Sequence, residues 1–376
     1  MNSDHRHPDL SAVARAFALH GQYSAGAPYG SGHINDTYAV VFDQAGTAVR
    51  YLLQRINDRV FKDVPALMDN IQRVTAHATM RAAESAAGDP DASRRSLTLV
   101  AARDGRPYHR DANGGWWRCY LFIERARTYD RVETPHQATA AARAFGEFQR
   151  MLVDLPGPRL HETIPFFHHT RRRFEALQRA IEADPHGRAA QAKDEISFAL
   201  RHERLVDVFL DLQARGEIPE HVTHNDTKFN NVMLDDATHS GICVIDLDTV
   251  MPGIALNDFG DLVRSATNSA AEDEVSVSAV QARLPIFEAL VTGYLSAARR
   301  FLNDAEIAHL AVSGQVITFE IGARFLTDFL AGDTYFKIKR PRHNLERASN
   351  QFALVRSLES QQSVMESFVK RQAREA

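Results

Sequence analysis

The sequence predicts an α+β chain of two lobes: a small β-rich N-terminal lobe and a large, mostly helical C-terminal lobe. Two observations predict it. Short β-forming runs separated by glycine-containing turns fill residues 22–57 and return near 97–124. After Arg131 the apolar residues recur at helical spacing almost to the end of the chain. Strands first and helices later is the order of a chain in two structural parts. The boundary falls near 125–132, giving lobes of 1–128 and 129–376.

The elements follow in order. Residues 8–20 read as a short amphipathic helix. Strands are expected over 22–29, 36–42 and 49–56, joined by Tyr29-Gly-Ser-Gly-His-Ile-Asn35 and by a Gln-Ala-Gly turn. Asp63 and Pro65 open a helix whose apolar positions Leu67, Met68, Ile71 and Val74 share one face. Strands near 97–101 and 115–124 complete the first lobe. Helices are expected over 135–153, 169–182, 192–215, 258–269, 279–301, 304–330 and 344–372, interrupted by apolar runs at 232–234 and 242–245.

Composition bounds the function. The 376 residues are 44% hydrophobic and 24% charged, ordinary for a globular protein. A net charge of -4 gives no polyanion-binding signature, so nucleic acid is not expected as a partner. The two cysteines, Cys119 and Cys243, lie in apolar runs and read as buried free thiols, which suits a reducing cytoplasm. The N-terminal residues lack a signal-peptide pattern, and no apolar run reaches membrane-spanning length. A cytoplasmic protein without a membrane or protein partner is the expectation.

The chemistry concentrates in His221-Val-Thr-His-Asn-Asp-Thr-Lys-Phe-Asn-Asn-Val-Met-Leu-Asp235 and Ile242-Cys-Val-Ile-Asp-Leu-Asp248. Asp226 stands as the base that receives the acceptor hydroxyl's proton, and Lys228 as the cation beside the moving phosphoryl group. Asn231, five residues after Asp226, and Asp246, ending an apolar run, offer the amide and carboxylate oxygens magnesium takes. Each has a plainer alternative: a turn-capping aspartate, a solvated lysine, a polar loop residue, a strand-end cap. Their spacing together is what a kinase-type phosphoryl-transfer site needs, and it predicts a protein kinase-like fold. His224 reads as a brace for the loop. Asp258 and Asp261 read as first-turn carboxylates that complement a helix dipole, with Asp258 also able to brace the catalytic loop. The Asp258-Phe-Gly260 string looks like a kinase metal signature, but the spacing from Asn231 and the preceding strand assign that role to Asp246.

The nucleotide side is less explicit. Gly30-Ser31-Gly32 joins two strands, where backbone amides can approach phosphates, although a plain hairpin would also explain it. The strand Tyr51-Leu-Leu-Gln-Arg-Ile56 should carry a cation for the α- and β-phosphates, yet Gln54 occupies the place and Arg55 is its neighbour. Alternation turns these two to opposite faces, and either could make the contact. Ile123, within the stretch 120–124, is placed where backbone groups would meet the adenine edge.

These residues resemble the aminoglycoside phosphotransferase and choline kinase-like superfamily, and more closely the bacterial N-acetylhexosamine 1-kinases. The closer likeness rests on four segments: Gly30-Ser-Gly-His-Ile-Asn-Asp-Thr-Tyr38, Thr223-His-Asn-Asp-Thr-Lys-Phe-Asn-Asn231, Val244-Ile-Asp-Leu-Asp-Thr-Val-Met-Pro-Gly253 and Arg324-Phe-Leu-Thr-Asp-Phe-Leu-Ala-Gly-Asp-Thr-Tyr-Phe336. It spans roughly residues 10–370, and that family also has glutamine where Gln54 stands. The resemblance implies Mg2+- and ATP-dependent phosphorylation of the anomeric hydroxyl of N-acetylglucosamine or N-acetylgalactosamine. By the same resemblance His33, Arg324 and Tyr335 match positions that line the sugar site. Their alternatives are a closed turn, a buried ion pair and simple packing.

Three other readings compete. The acceptor could be an aminoglycoside, choline, homoserine or another sugar; a cationic acceptor would call for a carboxylate cluster, and only Asp328 and Asp333 are scattered nearby. A scaffold that had lost catalysis would lack Asp226, Asn231 or Asp246, and all three are present. A protein kinase would need the missing lysine and an activation segment after Asp246.

Overall fold

The computed structural model describes residues 8–30, 34–85, 89 and 91–375. The chain forms two compact units: residues up to Ala126 with Asp154–Ile164 and Cys243–Asp248, and Arg127–Val153 with Pro165–Ile242 and the chain from Thr249 onward. The fold is α+β, with an antiparallel sheet in the N-terminal part and helices in the C-terminal part.

In the first unit, helix α1 (Leu10–Arg15) precedes strands β1 (Gln22–Pro28), β2 (Asp36–Gln44) and β3 (Thr47–Ile56). Helix α2 (Val64–Ser85) follows, then β4 (Leu99–Val100), β5 (His109–Arg110) and β6 (Trp116–Leu121). The sheet order is β1-β2-β3-β6-β4, with β5 also on β6. The β2–β3 hairpin turns on Ala45 (φ 53°) and Gly46 (φ 88°). Positive φ at both central residues makes a tight turn whose twist suits the flanking strands.

Alternation divides the sheet's side chains into two sets. Val40, Phe42, Tyr51, Leu53, Trp117 and Cys119 form one apolar core with Val13, Ala14 and Phe17. The other face carries Thr37, Gln54, Arg118 and Tyr120, each one residue out of phase with that core. Helix α2 buries Leu67, Met68, Ile71 and Val74 completely, as their spacing predicts. Helix α1 is shorter than the expected 8–20, because Phe17 bridges Ala102 and Ala18 N donates to Ala101 O. That chain is spent on pairing rather than on another turn of helix. Strands expected over 97–101 and 115–124 contract to β4 and β6.

A two-residue strand, β7 (Ala126–Arg127), precedes helices α3 (Pro135–Leu152), α4 (Thr170–Ala183), α5 (Lys193–Arg201) and α6 (Val208–Ala214). Short strands β8 (His221–Thr223), β9 (Val232–Asp235), β10 (Gly241–Val244) and β11 (Met251–Gly253) follow. Helices α7 (Ala255–Thr267), α8 (Leu284–Ala298), α9 (Asp304–Leu330), α10 (His343–Ser360) and α11 (Gln362–Glu375) end the chain. Helix α3 opens on a capping box of Thr134 and Gln137, and α9 on one of Asn303 and Glu306.

Three expected helices differ. The stretch 192–215 breaks into α5 and α6 around a 3-10 turn at Glu203–Leu205. Helix α8 starts at Leu284 rather than 279: Pro285 suits the first turn of a helix, where no N–H is needed, and Ala282 bridges Asn268 instead. The stretch 344–372 is two helices, broken where Gln361 Nε2 donates to Ala282 O at 2.9 Å. Helix α7 packs on α9 at Gly260, where a Cβ would come within 2.5 Å of Ser313 O. That close approach carries the first turn of α7 under the loop between β8 and β9. Both thiols are buried and free, and burial pushes the Cys243 thiol up to about 12.

Candidate active site

The loop between β8 and β9 is held from beneath by one carboxylate. Strand β8 pairs antiparallel with β11, and the chain then turns through Asn225 at φ 63°. Asparagine is among the few residues that tolerate this left-handed backbone. Asp258, in the first turn of α7, accepts from His224 N at 2.8 Å, Asn225 N at 2.7 Å and Gln149 Nε2 at 2.7 Å. Its carboxylate therefore braces the loop and does not cap its own helix. Burial raises this carboxyl above the ordinary range, and the His224 and Asn225 contacts pull it part of the way back. Asp261 instead pairs with Arg264 at 2.7 Å. Thr249 Oγ1 donates to His224 O at 2.7 Å, and the His224 ring lies edge-on to Phe145 and Phe148. His224 is thus a buried brace.

This support presents Asp226, Lys228 and Asn231 together. Lys228 Nζ lies 3.1 Å from Asp226 Oδ2. Asn231 Nδ2 donates to Asp226 O at 2.8 Å and to Asp226 Oδ2 at 3.2 Å, which leaves Asn231 Oδ1 for another partner. Burial alone would raise the Asp226 carboxyl. The positive charges of Lys228, His224 and Arg264 outweigh it and hold the group below its usual value. A carboxylate that stays ionised at neutral pH, with its side chain 26% exposed, can accept a proton from a neighbouring hydroxyl.

In the sheet-containing unit, Asp246 follows β10 at φ 61°, left-handed like Asn225. Asp248, two residues on, is buried and accepts from Asn35 Nδ2 and from Arg118. Arg118 Nε donates to Gln54 Oε1 at 2.9 Å, and Gln54 Nε2 to Thr37 Oγ1 at 3.0 Å. Gln54 and Arg118 sit directly opposite in the β3–β6 register. Arg55 is exposed on the other face of the strand. Ile123 is buried just beyond β6. Gly30 has φ 78° with open space where a Cβ would be, whereas Ser31, Gly32 and His33 lie outside the described residues.

The helical unit also carries an arginine-rich wall. Arg324, on α9, has its guanidinium 5.4 Å from the Phe167 ring, 5.6 Å from Phe336 and 5.9 Å from Tyr335. Among the described residues it makes no ion pair, so the buried salt bridge considered for it is not found. Tyr335 is 65% exposed, with its ring edge-on to Phe336 at 4.8 Å. Arg173 is lowered by burial and by the charge of Arg324, and its Nη2 donates to Phe167 O at 2.9 Å. One turn along α9, Glu320 accepts from Thr170 Oγ1 at 2.7 Å and pairs with His168 Nδ1 at 2.8 Å. His168 Nε2 lies 3.0 Å from Asn225 O. A carbonyl can only accept, and the Glu320 carboxyl is held low by its partners despite its burial. Both ring nitrogens must then donate, so His168 is an imidazolium. Burial would lower its pKa; the Glu320 charge and hydrogen bond and the Asn225 carbonyl raise it instead.

Reasoning from sequence missed Arg118, Asp248, His168, Glu320 and Arg173. Only Asp248, inside the Asp246-Leu-Asp248 string, had a local signal.

The strand-flanked loop thus presents an ionised carboxylate, an ammonium and an amide together. A family model described as the phosphotransferase enzyme family matches residues 26–290, and the chain belongs to that family. Solved structures share the fold. An aminoglycoside phosphotransferase from Alicyclobacillus acidocaldarius aligns with TM-score 0.55 at 13% identity, covering 97% of this chain and 96% of that one. A choline kinase from Cryptosporidium parvum aligns with TM-score 0.54 at 14% identity, covering 92% and 91%. A spectinomycin phosphotransferase, solved with ADP and spectinomycin, aligns with TM-score 0.51 at 11% identity over 90% and 94%. The protein kinase-like fold expected from sequence is thus observed. No helix among the described residues is long and apolar enough to cross a membrane.

Proposed function

We propose that this phosphotransferase moves the γ-phosphoryl group of ATP to the anomeric C1 hydroxyl of an N-acetylhexosamine, N-acetylglucosamine or N-acetylgalactosamine, and releases the sugar 1-phosphate. One observation carries the choice of acceptor. The wall linked to the catalytic loop through His168 is cationic and aromatic: Arg324 and Arg173 beside Phe167, Tyr335 and Phe336. An aminoglycoside or choline would need free carboxylates there. Asp328 is fully engaged by the backbone N–H groups of Thr334, Tyr335 and Phe336 and by Asn344. Asp333 is engaged by Arg188 and Asn344. Two arginines repel a cationic acceptor and donate to the hydroxyl and amide oxygens of a neutral sugar. The aromatic rings offer flat apolar surface to the pyranose.

Asp226 orients the C1 hydroxyl and takes its proton as the oxygen attacks, and Lys228 neutralises charge on the transferring group. Among the described residues no cluster of three or more His, Cys, Asp or Glu could hold a metal unaided. Magnesium does not need one, since it keeps waters and phosphate oxygens and takes one or two protein oxygens. Asn231 Oδ1 and the Asp246 carboxylate are hard donors of that kind and would serve as its ligands. When bound, magnesium supplies charge neutralisation at the phosphates. Gln54 and the Gly30–Gly32 turn belong to the nucleotide side in this reading, with Ile123 near the base, and His33 to the sugar side.

The test is a panel of N-acetylhexosamines, other free sugars, aminoglycosides, choline and homoserine with Mg-ATP, the phosphorylated carbon being located by phosphorus–proton NMR. The expected product is an N-acetylhexosamine 1-phosphate. Turnover of a cationic acceptor with none of N-acetylhexosamines overturns the assignment.

A further inference from the structure

The polar face of the β3–β6 sheet holds a cation that the phosphotransfer reading above does not use. Arg118 is 1% exposed. Its Nε is spent on Gln54 and its Nη1 on Asp248, while Nη2 has no hydrogen-bond partner among the described residues. Two residues along β6, and so on the same face, the Tyr120 hydroxyl is buried with no partner among the described residues. The Arg118 guanidinium lies 5.5 Å from the Tyr120 ring. Asp248, which accepts from Arg118, lies two residues beyond Asp246, the carboxylate proposed as a metal ligand. A buried polar group without a partner costs about 1–3 kcal/mol. One such hydroxyl beside a guanidinium whose second edge is not taken up by Gln54 or Asp248 is explained by a ligand rich in acceptors.

We infer that Arg118, aimed by Asp248 and Gln54, binds the α- and β-phosphates of the nucleotide in place of the lysine that β3 lacks, with the Tyr120 hydroxyl as a second donor. The geometry makes the substitution reasonable. Adjacent strands lie about 4.8 Å apart, and Arg118 is the residue directly opposite Gln54, so the charge is displaced by one strand. Lysine would have to divide one ammonium between its anchoring carboxylate and the phosphates. A guanidinium has five N–H donors in a rigid fork and can hold Asp248 on one edge while offering the other to a ligand. Gln54 completes the arrangement: its carbonyl fixes the fork, and its amide is in turn fixed by Thr37.

The inference rests on the sheet unit being the nucleotide side, so the experiment measures nucleotide binding without any acceptor. Titration calorimetry with Mg-ADP would compare the parent, Arg118→Met, Arg118→Lys and the double variant Gln54→Lys/Arg118→Gln, each checked for folding by circular dichroism. Arg118→Met is expected to weaken Mg-ADP binding at least tenfold. The double variant, which returns the charge to β3, is expected to recover most of that loss, and ATP KM should follow while acceptor KM stays put. Arg118→Met that binds Mg-ADP within twofold of the parent overturns the inference, whatever its melting temperature. If Arg118→Met does not fold, the double variant decides: folded with parent-like binding supports the displaced cation, and folded without binding overturns it. A parent that binds no nucleotide would instead sink the reading of the sheet unit itself.

Discussion

Asp258→Asn should loosen the loop between β8 and β9 without removing any group proposed to meet substrate. The carboxylate accepts from three donors: His224 N and Gln149 Nε2 on Oδ2, and Asn225 N on Oδ1. An amide has one oxygen. Its best placement keeps that oxygen at Oδ2 and turns an NH2 group toward the Asn225 N–H, donor against donor. One buried backbone donor left unpaired costs about 1–3 kcal/mol, and the remaining two bonds lose their charge assistance. Gln149 cannot flip to compensate, because its Oε1 already accepts from Tyr294 OH at 2.5 Å. Relief of a buried charge returns part of the loss, so about 2–4 kcal/mol is expected overall. Urea unfolding followed by circular dichroism at 222 nm would measure it. Because Asn225 directly precedes Asp226, kcat should fall at least tenfold while Mg-ADP affinity stays within twofold. A stability change below about 0.5 kcal/mol, within the range of ordinary surface substitutions, with unchanged kcat would refute the claim that this carboxylate holds the loop.

Asp226→Asn is expected to lower kcat by a factor of about 10²–10⁴, the usual contribution of a positioned base, with Mg-ADP binding preserved in calorimetry. Arg324→Ala should raise the acceptor KM about tenfold or more and leave ATP KM alone; an equal loss for both ligands would indicate a folding defect. His168 sets a pH dependence. Its folded pKa is raised above the unfolded value of about 6.5, so its stabilisation is complete below that pH and is lost as pH rises through the folded value. Urea midpoints of the parent should therefore decline on the alkaline side of neutrality more steeply than those of His168→Gln, and parallel curves would dismiss the imidazolium.

Much of the fold is legible because local signals and tertiary packing agree. The apolar stripe of α2 survives as a fully buried face, and α9 runs over the expected 304–330, where one capping box and an unbroken apolar pattern mark it. The errors fall where a tertiary contact overrides a local pattern. Residues 16–20 have helical character but pair with the sheet edge, and Gln361 interrupts a periodic stretch in order to reach Ala282. Strands β8 and β11 are three residues each, too short for alternation to register, and exist only as each other's partner.

The site divides along the same line. Asp226, Lys228 and Asn231 fall within six residues of one another, so their chemistry can be read as a string, and the structure brings those three together. The glutamine of β3 shows the opposite case. Read along its own strand, Gln54 is a defect, a neutral residue where a cation belongs, with Arg55 as the tempting repair. Read across the sheet it is half of a pair, because a partner 64 residues away supplies the charge and Arg55 faces elsewhere. Side-chain direction within a strand follows from alternation, but which residue stands opposite follows from register, and register is set by the packing of the whole sheet. The same reasoning applies to His168: an isolated histidine in the sequence, it becomes a cation only because two acceptors, Glu320 and Asn225, close on its ring from separate elements. Charges that matter in this protein are thus assigned by pairing, and a substitution at Gln54 or Glu320 should be judged by its effect on Arg118 or His168 before its own chemistry is considered.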